Sequence, residues 1–231
     1  MVEQFVRACE SKGIIPGLYY CSWDNHNRFG SLTPSDPEVG GKWPGAPFTT
    51  PAYHDFQSAQ IRELLTRYGK IGEVWIDIPV VLPRHYRNRL YAEIAALQPE
   101  AMIMMNNGID PRGELKVANT WPTDLLAVER FPPDTQHKPA WLGVPSPFVS
   151  VEGKDYDLPR EYCDTVGTDW FYKEGDVPRS DAELLGLYLL SRSRGANVLF
   201  DIGPDKSGRI PKPFSEAILR LAKNRKALGL V

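Results

Sequence analysis

YHDFQSAQIRELLTRYGKIGEVWIDIP, residues Tyr53 to Pro79, decides the fold. Its first half spaces Phe56, Ile61, Leu64, Leu65 and Tyr68 as the apolar stripe of a helix, and Gly69 closes it. Its second half, EVWID, is a short and nearly continuous apolar run between Gly72 and Pro79, which is how a strand buried on both faces reads. A helix followed within a few residues by such a strand is the repeating unit of a parallel α/β fold.

The unit recurs on both sides. MVEQFVRACESKGI, with Phe5, Val6, Cys9 and Ile14 at helical spacing, leads into IPGLYYCSW, a short buried strand. RHYRNRLYAEIAALQP leads into AMIMMNN. SDAELLGLYLLSRSRG, capped by Ser180 with Leu184, Leu185, Tyr188 and Leu189 facing inward, leads into NVLFDIG, and PFSEAILRLAKNRKALG closes the chain. FVSVEG supplies a fifth, weaker strand. The loop from about Asp24 to Pro51 is rich in Gly, Pro and Ser, and the segment from Gly108 to about Trp170 reads as irregular. No strand is followed by a Gly-x-Gly-x-x-Gly turn, which disfavours a dinucleotide fold. The expectation is one catalytic domain over residues 1–231, an α/β chain forming a (β/α)8-like TIM-type barrel that is incomplete. The sequence opens inside a helix, so a preceding part of the barrel is expected outside it.

Composition narrows the function classes. The 231 residues carry a net charge of -2, with no basic field of the kind that nucleic acid requires. No apolar run approaches the ~20 residues of a membrane span. Three cysteines, Cys9, Cys21 and Cys163, lack the spacing of a zinc site or a disulfide framework, so no metal site of that kind is expected. Six tryptophans and ten tyrosines supply flat apolar faces, which sugar and nucleobase sites both use.

Asp77 is the awkward residue, a charge between Ile76 and Ile78 that is costly to bury unless hydrogen-bonded. A barrel answers that cost, because its chemistry lies at the C-terminal strand ends. Polar residues do cluster at those ends: Ser22, Trp23, Asp24, Asn25 and His26 after GLYYC, Asp77 in EVWID, Asn106 and Asn107 after MIMM, and Asp201 after NVLF. Trp75 shares a strand face with Asp77 and places an aromatic wall beside the carboxylate. A second carboxylic acid is needed as proton donor, and the long aromatic loops offer Glu129, Glu152 and Glu161. Retaining glycosidases hold two such carboxyls ~5–5.5 Å apart. His26 reads as a donor to sugar hydroxyls rather than a metal ligand, Asp201 as a cap of the turn before Pro204, and Asp205 with Gly208 as turn chemistry. Arg130 is expected to pair with a nearby carboxylate.

GLYYCSWDNH, QIRELLTRYGKIGEVWIDI, TDLLAVERFPP, REYCDTVGTDWFY and GANVLFDIGPDKSGRIP occur in the order seen in α-L-fucosidases of glycoside hydrolase family 29, from about residue 3 to 225. The chain resembles that family. The resemblance implies retaining hydrolysis of terminal α-L-fucosides without a cofactor and with no metal, with a fucosylated glycan or oligosaccharide as partner; the exposed edges of an incomplete barrel make a homo-oligomer one arrangement. Asp77 falls where the family's VWFDG motif has its nucleophile, and Trp75 on the tryptophan lining the sugar pocket. Glu129 fits the acid/base block, with Asp124 five residues before it, and Glu161 is the other candidate for that role. Trp23, Asp24 and His26 match a strand end that binds sugar hydroxyls, and Asn106 joins the substrate-binding set. Four departures stand out: Ile78 and Pro79 follow Asp77 in place of glycine, Arg160 replaces a tryptophan before Glu161, Asp201 replaces an asparagine, and MMNNGID lacks an arginine. Two alternatives stay open, a non-catalytic carbohydrate-binding remnant of the barrel and a retaining glycosidase acting on a fucose-like sugar.

Overall fold

The structure is a computed structural model that describes residues 1–28, 49–106, 120–130 and 148–230. Asn107 and most of the loop predicted from Asp24 to Pro51 lie outside the described residues. The chain divides into two compact units, each with its own core.

The first unit is an α/β layer. Helix α1 (Val2–Glu10) precedes β1 (Gly17–Cys21), α2 (Pro51–Arg67) precedes β2 (Glu73–Asp77), and α3 (Arg84–Leu97) precedes β3 (Met102–Met105). The strands pair in the order β1-β2-β3, all parallel, with Tyr19 opposite Trp75 and Trp75 opposite Met104. Helix α2 starts where Thr50 accepts the Tyr53 N–H at 3.2 Å and Pro51 supplies a fixed φ at the first position. It buries Tyr53, Ile61 and Leu65 against Tyr86, Leu90 and Ile94 of α3 and against Val74, Ile76, Ile103 and Met105 of the sheet. Each fully buried aliphatic side chain contributes about 1.5–3 kcal/mol. The predicted stripes hold in part: Val6, Cys9, Ile61 and Leu65 are buried as expected, but Phe5, Ile14 and Phe56 are exposed, and Gln57 takes an inner position.

Strand alternation sorts this sheet into two faces. Leu18, Tyr20, Val74, Ile76, Ile103 and Met105 join the helices. Tyr19, Cys21, Trp75, Asp77 and Met104 therefore share the other face. The expectation of a buried first strand is corrected here, because Tyr19 on that face is exposed.

The first unit also carries a hairpin, β5 (Phe148–Val151) with β6 (Lys154–Asp157). FVSVEG is thus a strand, but an antiparallel one outside the parallel series. Its two-residue loop, Glu152 and Gly153, has φ of 54° and 77°, the pair of positive values that a type I′ turn requires.

The second unit holds the sheet β4 (Leu126–Glu129), β7 (Arg160–Thr165) and β8 (Ala196–Asp201) in that order, with α4 (Asp181–Ser193) and α5 (Lys212–Ala227). Strands β7 and β8 are parallel. Two predictions are corrected: TDLLAVERFPP and LPREYCD are strands for part of their length rather than aromatic loops, and eight strands rather than five occur among the described residues. Ser180 caps α4 as expected, in a reciprocal pair with Glu183. Leu184 and Tyr188 face inward, but Leu187 is buried where Leu189 was predicted. No helix among the described residues is long and apolar enough to cross a membrane.

Candidate active site

Asp77 ends β2 on the face away from the helices, half-buried. Three donors hold its carboxylate. The Tyr19 hydroxyl donates to Oδ2 at 2.6 Å, and the Asn106 amide to Oδ1 at 2.7 Å. The Ile78 N–H donates to the same Oδ1 at 2.9 Å. Hydrogen bonds to a charged acceptor are the strong kind, about 1.5–3 kcal/mol each. The cost of placing a charge after VWI is met in this way, by neighbours in register on both flanking strands.

The wall beside Asp77 is built as expected and more fully. Trp75 is 8% exposed and stacks on Tyr19, ring centroids 5.6 Å apart at 23°. Burial and the acceptor Asp77 push the Tyr19 hydroxyl far above its ordinary pKa, so it stays a donor. Sequence reading missed Tyr19, although alternation from Cys21 marks it: Leu18 and Tyr20 face the helices, so Tyr19 faces the acid. Ile78 adopts φ 49° and ψ 45°, a left-handed conformation that costs a β-branched residue about 1–3 kcal/mol.

Trp23, Asp24 and His26 form the turn after β1. Asp24 accepts the N–H groups of His26 and Asn27 at 2.9 and 3.0 Å, and the Asn27 side-chain amide at 2.6 Å. Burial pushes its carboxyl upward, but the bonds from Asn27 and His26 outweigh that and leave it below the ordinary range. The Arg28 guanidinium lies 4.1 Å over the Trp23 ring, and the His26 residue is exposed. Ser22, buried between, gives its N–H to the Asp77 carbonyl at 2.9 Å and is gripped by Tyr53 and Gln57.

Glu129, Glu161 and Asp201 belong to the second unit. There Val128, Tyr162, Ala196, Val198 and Phe200 join the helix side. Alternation therefore places Glu129, Glu161, Cys163 and Asp201 on the other face. The Arg130 N–H bonds the Cys163 carbonyl at 3.0 Å, which sets Glu129 beside Cys163 at the C-terminal end of β4. Glu161 lies two residues back along β7, roughly 6.6 Å deeper. It is 2% exposed and accepts the Asn197 amide at 2.9 Å. Asp201 ends β8 opposite Thr165, and burial raises its carboxyl. Its Oδ2 is enclosed and has no hydrogen-bond partner among the described residues, so this oxygen does not cap the turn. Burial, then the charges of Glu129, Glu161, Asp201 and Asp164, push the Cys163 thiol up, which makes it inert. Glu152 sits in the hairpin turn, paired with Arg84 at 3.0 Å.

A second unforeseen group lies behind this face. Asp164, fully buried, accepts both bonds of the Arg179 guanidinium at 3.0 and 3.1 Å, the Tyr162 hydroxyl at 2.6 Å and the Thr165 N–H at 2.7 Å. Arg130, predicted to pair with a carboxylate, stands 3.6 Å from it and donates to the Thr168 carbonyl. Arg130 also takes a left-handed φ of 47°. Among the described residues no cluster of His, Cys, Asp or Glu could hold a metal ion. What the described residues present is a carboxylate with an aromatic wall on one unit, and carboxyls of differing burial on the other.

The sequence model of a family described as Alpha-L-fucosidase matches residues 1–229. Among curated relatives, Alpha-L-fucosidase 1 of Arabidopsis thaliana is 28% identical over 220 residues, covering 91% of this chain and 38% of the relative. Among solved structures, α-L-fucosidase isoenzyme 1 from Paenibacillus thiaminolyticus has a TM-score of 0.72 at 22% identity, covering 99% of this chain and 52% of that one. α-L-Fucosidase AlfC from Lactobacillus casei, solved with its α-L-fucose product, has a TM-score of 0.65 at 20% identity, covering 100% of this chain and 66% of that one. These likenesses show the α/β fold. The chain spans 38% and 41% of the length of the curated relatives it matches.

Proposed function

This chain belongs to the α-L-fucosidase family, and from that premise we propose that it carries out retaining hydrolysis of terminal α-L-fucosides. The observation that supports the reading is the cradle of Asp77: an acid at a strand end, held by three donors, beside the Trp75–Tyr19 wall. In this reading the strands are staves of a (β/α)8-type barrel, with chemistry at their C-terminal ends. The substrate class is a terminal α-L-fucoside on a glycan, and the L. casei relative solved with Fuca(1,6)GlcNAc supports that class.

The reaction is a double displacement. An Asp77 carboxylate oxygen attacks the anomeric carbon as the bond to the aglycone oxygen breaks, and Glu129 gives that oxygen its proton. Water then attacks the glycosyl ester, Glu129 takes a proton from it, and Asp77 leaves as the carboxylate. Tyr19 keeps its proton throughout and stabilises the carboxylate that each cycle regenerates. The choice of Glu129 over Glu161 as acid/base is supported by its place at the end of its strand, whereas Glu161 is deep and bonded by Asn197. Trp23, Asp24, His26 and Asn106 complete the sugar-binding set, with Asn106 acting through Asp77. The test is Asp77→Gly assayed on an aryl α-L-fucoside. Turnover should vanish and return with added azide as a fucosyl azide. Ordinary activity in that variant would overturn the assignment.

A further inference from the structure

Ile78 combines two features that ordinarily exclude each other. It is β-branched and precedes a proline, and both disfavour a left-handed backbone. Yet it sits at φ 49° and ψ 45°, directly after the carboxylate. Such a conformation persists only where the surroundings over-determine it. Here they do: the Ile78 side chain packs on the buried core of the first unit, Pro79 is buried behind it, and the Val81 N–H closes a turn onto the Ile78 carbonyl at 3.3 Å. What the bend accomplishes is visible in its other end, because the Ile78 N–H points back at Oδ1 of Asp77 at 2.9 Å.

We infer that Ile78 is a positioning residue for the nucleophile: its core-anchored left-handed bend saturates Oδ1 together with Asn106, and leaves Oδ2, held among the described residues by Tyr19 alone, as the oxygen presented to the sugar carbon. The inference rests on the reading of Asp77 as nucleophile. Its logic is that a carboxylate with two donors on one oxygen and one on the other is both rotationally fixed and chemically lopsided. The oxygen with fewer donors has fewer hydrogen bonds to give up on attack, and it is the one whose bonding must change least when the ester forms. The glycine of the motif that this stretch resembles reaches such a bend without strain. Isoleucine reaches it only through its anchor, so the anchor holds the catalytic geometry.

Two substitutions separate positioning from packing. Ile78→Ala removes the anchor and keeps the left-handed penalty, so the bend is populated less. kcat/KM on an aryl α-L-fucoside should fall roughly 5- to 30-fold, the fold-change that an unsupported left-handed residue corresponds to, with KM little altered. Ile78→Gly removes still more side chain but is free to bend, and should stay closer to the parent than alanine does. A residue that only fills space gives the reverse order, glycine below alanine, and that result, or equal activity in both, overturns the inference. Both variants are assayed well below their unfolding midpoints. An amide NMR readout keeps the question apart from turnover: the Ile78 N–H should be protected from exchange in the parent and lose that protection in Asp77→Gly. An Ile78 amide indifferent to Asp77 overturns the inference, whereas a parent inactive on fucosides with a protected amide overturns the functional reading alone.

Discussion

Asp164→Ala tests the second unit where its electrostatics are most concentrated. The carboxylate is fully buried and accepts from two groups that have no access to water once it is gone: the Tyr162 hydroxyl, on a residue 1% exposed, and the buried Thr165 N–H. An orphaned buried donor costs about 1–3 kcal/mol. The two arginines count for less, because Arg179 and Arg130 are 24% and 40% exposed in their side chains and rehydrate when released. The sum for alanine is about 3–5 kcal/mol, the range for breaking a buried pair by removing one partner. Asp164→Asn keeps an acceptor for Thr165 and loses the charge, and should cost about half as much. For a chain of this size the alanine loss lowers the thermal midpoint by roughly 6–20 °C. The assay is urea and thermal unfolding followed by circular dichroism, with Arg7→Ala as control. Its partner Glu3 is largely exposed, so that pair should contribute within about 0.5 kcal/mol. A loss below about 1 kcal/mol for Asp164→Ala refutes the reasoning, since the network would then behave as a surface ion pair.

Tyr19→Phe removes one donor to Asp77 and keeps the stack on Trp75. kcat/KM should fall about 10- to 100-fold, the worth of a hydrogen bond to a charged group, and unchanged activity would show that Oδ2 does not need it. His54, stacked on Tyr86 with centroids 4.1 Å apart, has its pKa pushed down to about 4 by burial, then by Arg89 and His85. Its unfolded value is ~6.5, so between these values the unfolded chain binds more protons and stability falls as pH drops from ~6.5 toward 4. His54→Gln should flatten that part of the profile, and parallel profiles for the two proteins would count against it. Asp201 has the opposite sign: its raised carboxyl binds more protons when folded, so stability falls as pH rises past the ordinary carboxylate range. Asp201→Asn should gain ~1 kcal/mol at neutral pH and lose that advantage in acid, read as the gap between thermal midpoints.

The helices and the apolar strands were legible because their periodicities are strong and their boundaries carry Gly, Pro or Ser. Strand β7 was not, since REYCDT alternates charge with apolar residues on both faces: Glu161 is kept by Asn197 and Asp164 by Arg179. A strand that buries carboxylates on each side has no apolar signature to read. Strand β4 failed for another reason, since LAVE ends on a glutamate and is followed closely by Arg130 and two prolines, so it reads as loop. The hairpin carried a readable signal in its Glu-Gly loop, but a run of alternating residues does not distinguish parallel from antiparallel partners. At the candidate site, Asp77 and Trp75 were readable from strand spacing. Tyr19 and Asp164 depend on register between strands that lie far apart in sequence, which no local pattern records.

The doubled tyrosine of β1 has a consequence for how this sheet finds its alignment. A one-residue slip along β2 would bring Tyr20 opposite Trp75 in place of Tyr19, and the stacked ring pair would form almost as well. The usual penalty for slippage, an apolar set turned to the wrong face, is thus softened at the very position that faces the acid. Alignment is decided one step further on, by Ser22. Its N–H meets the Asp77 carbonyl only in the native register, while Tyr53 and Gln57 of α2 hold its carbonyl and hydroxyl. A buried serine with no part in the chemistry therefore ties the register of β1 on β2 to the docking of helix α2.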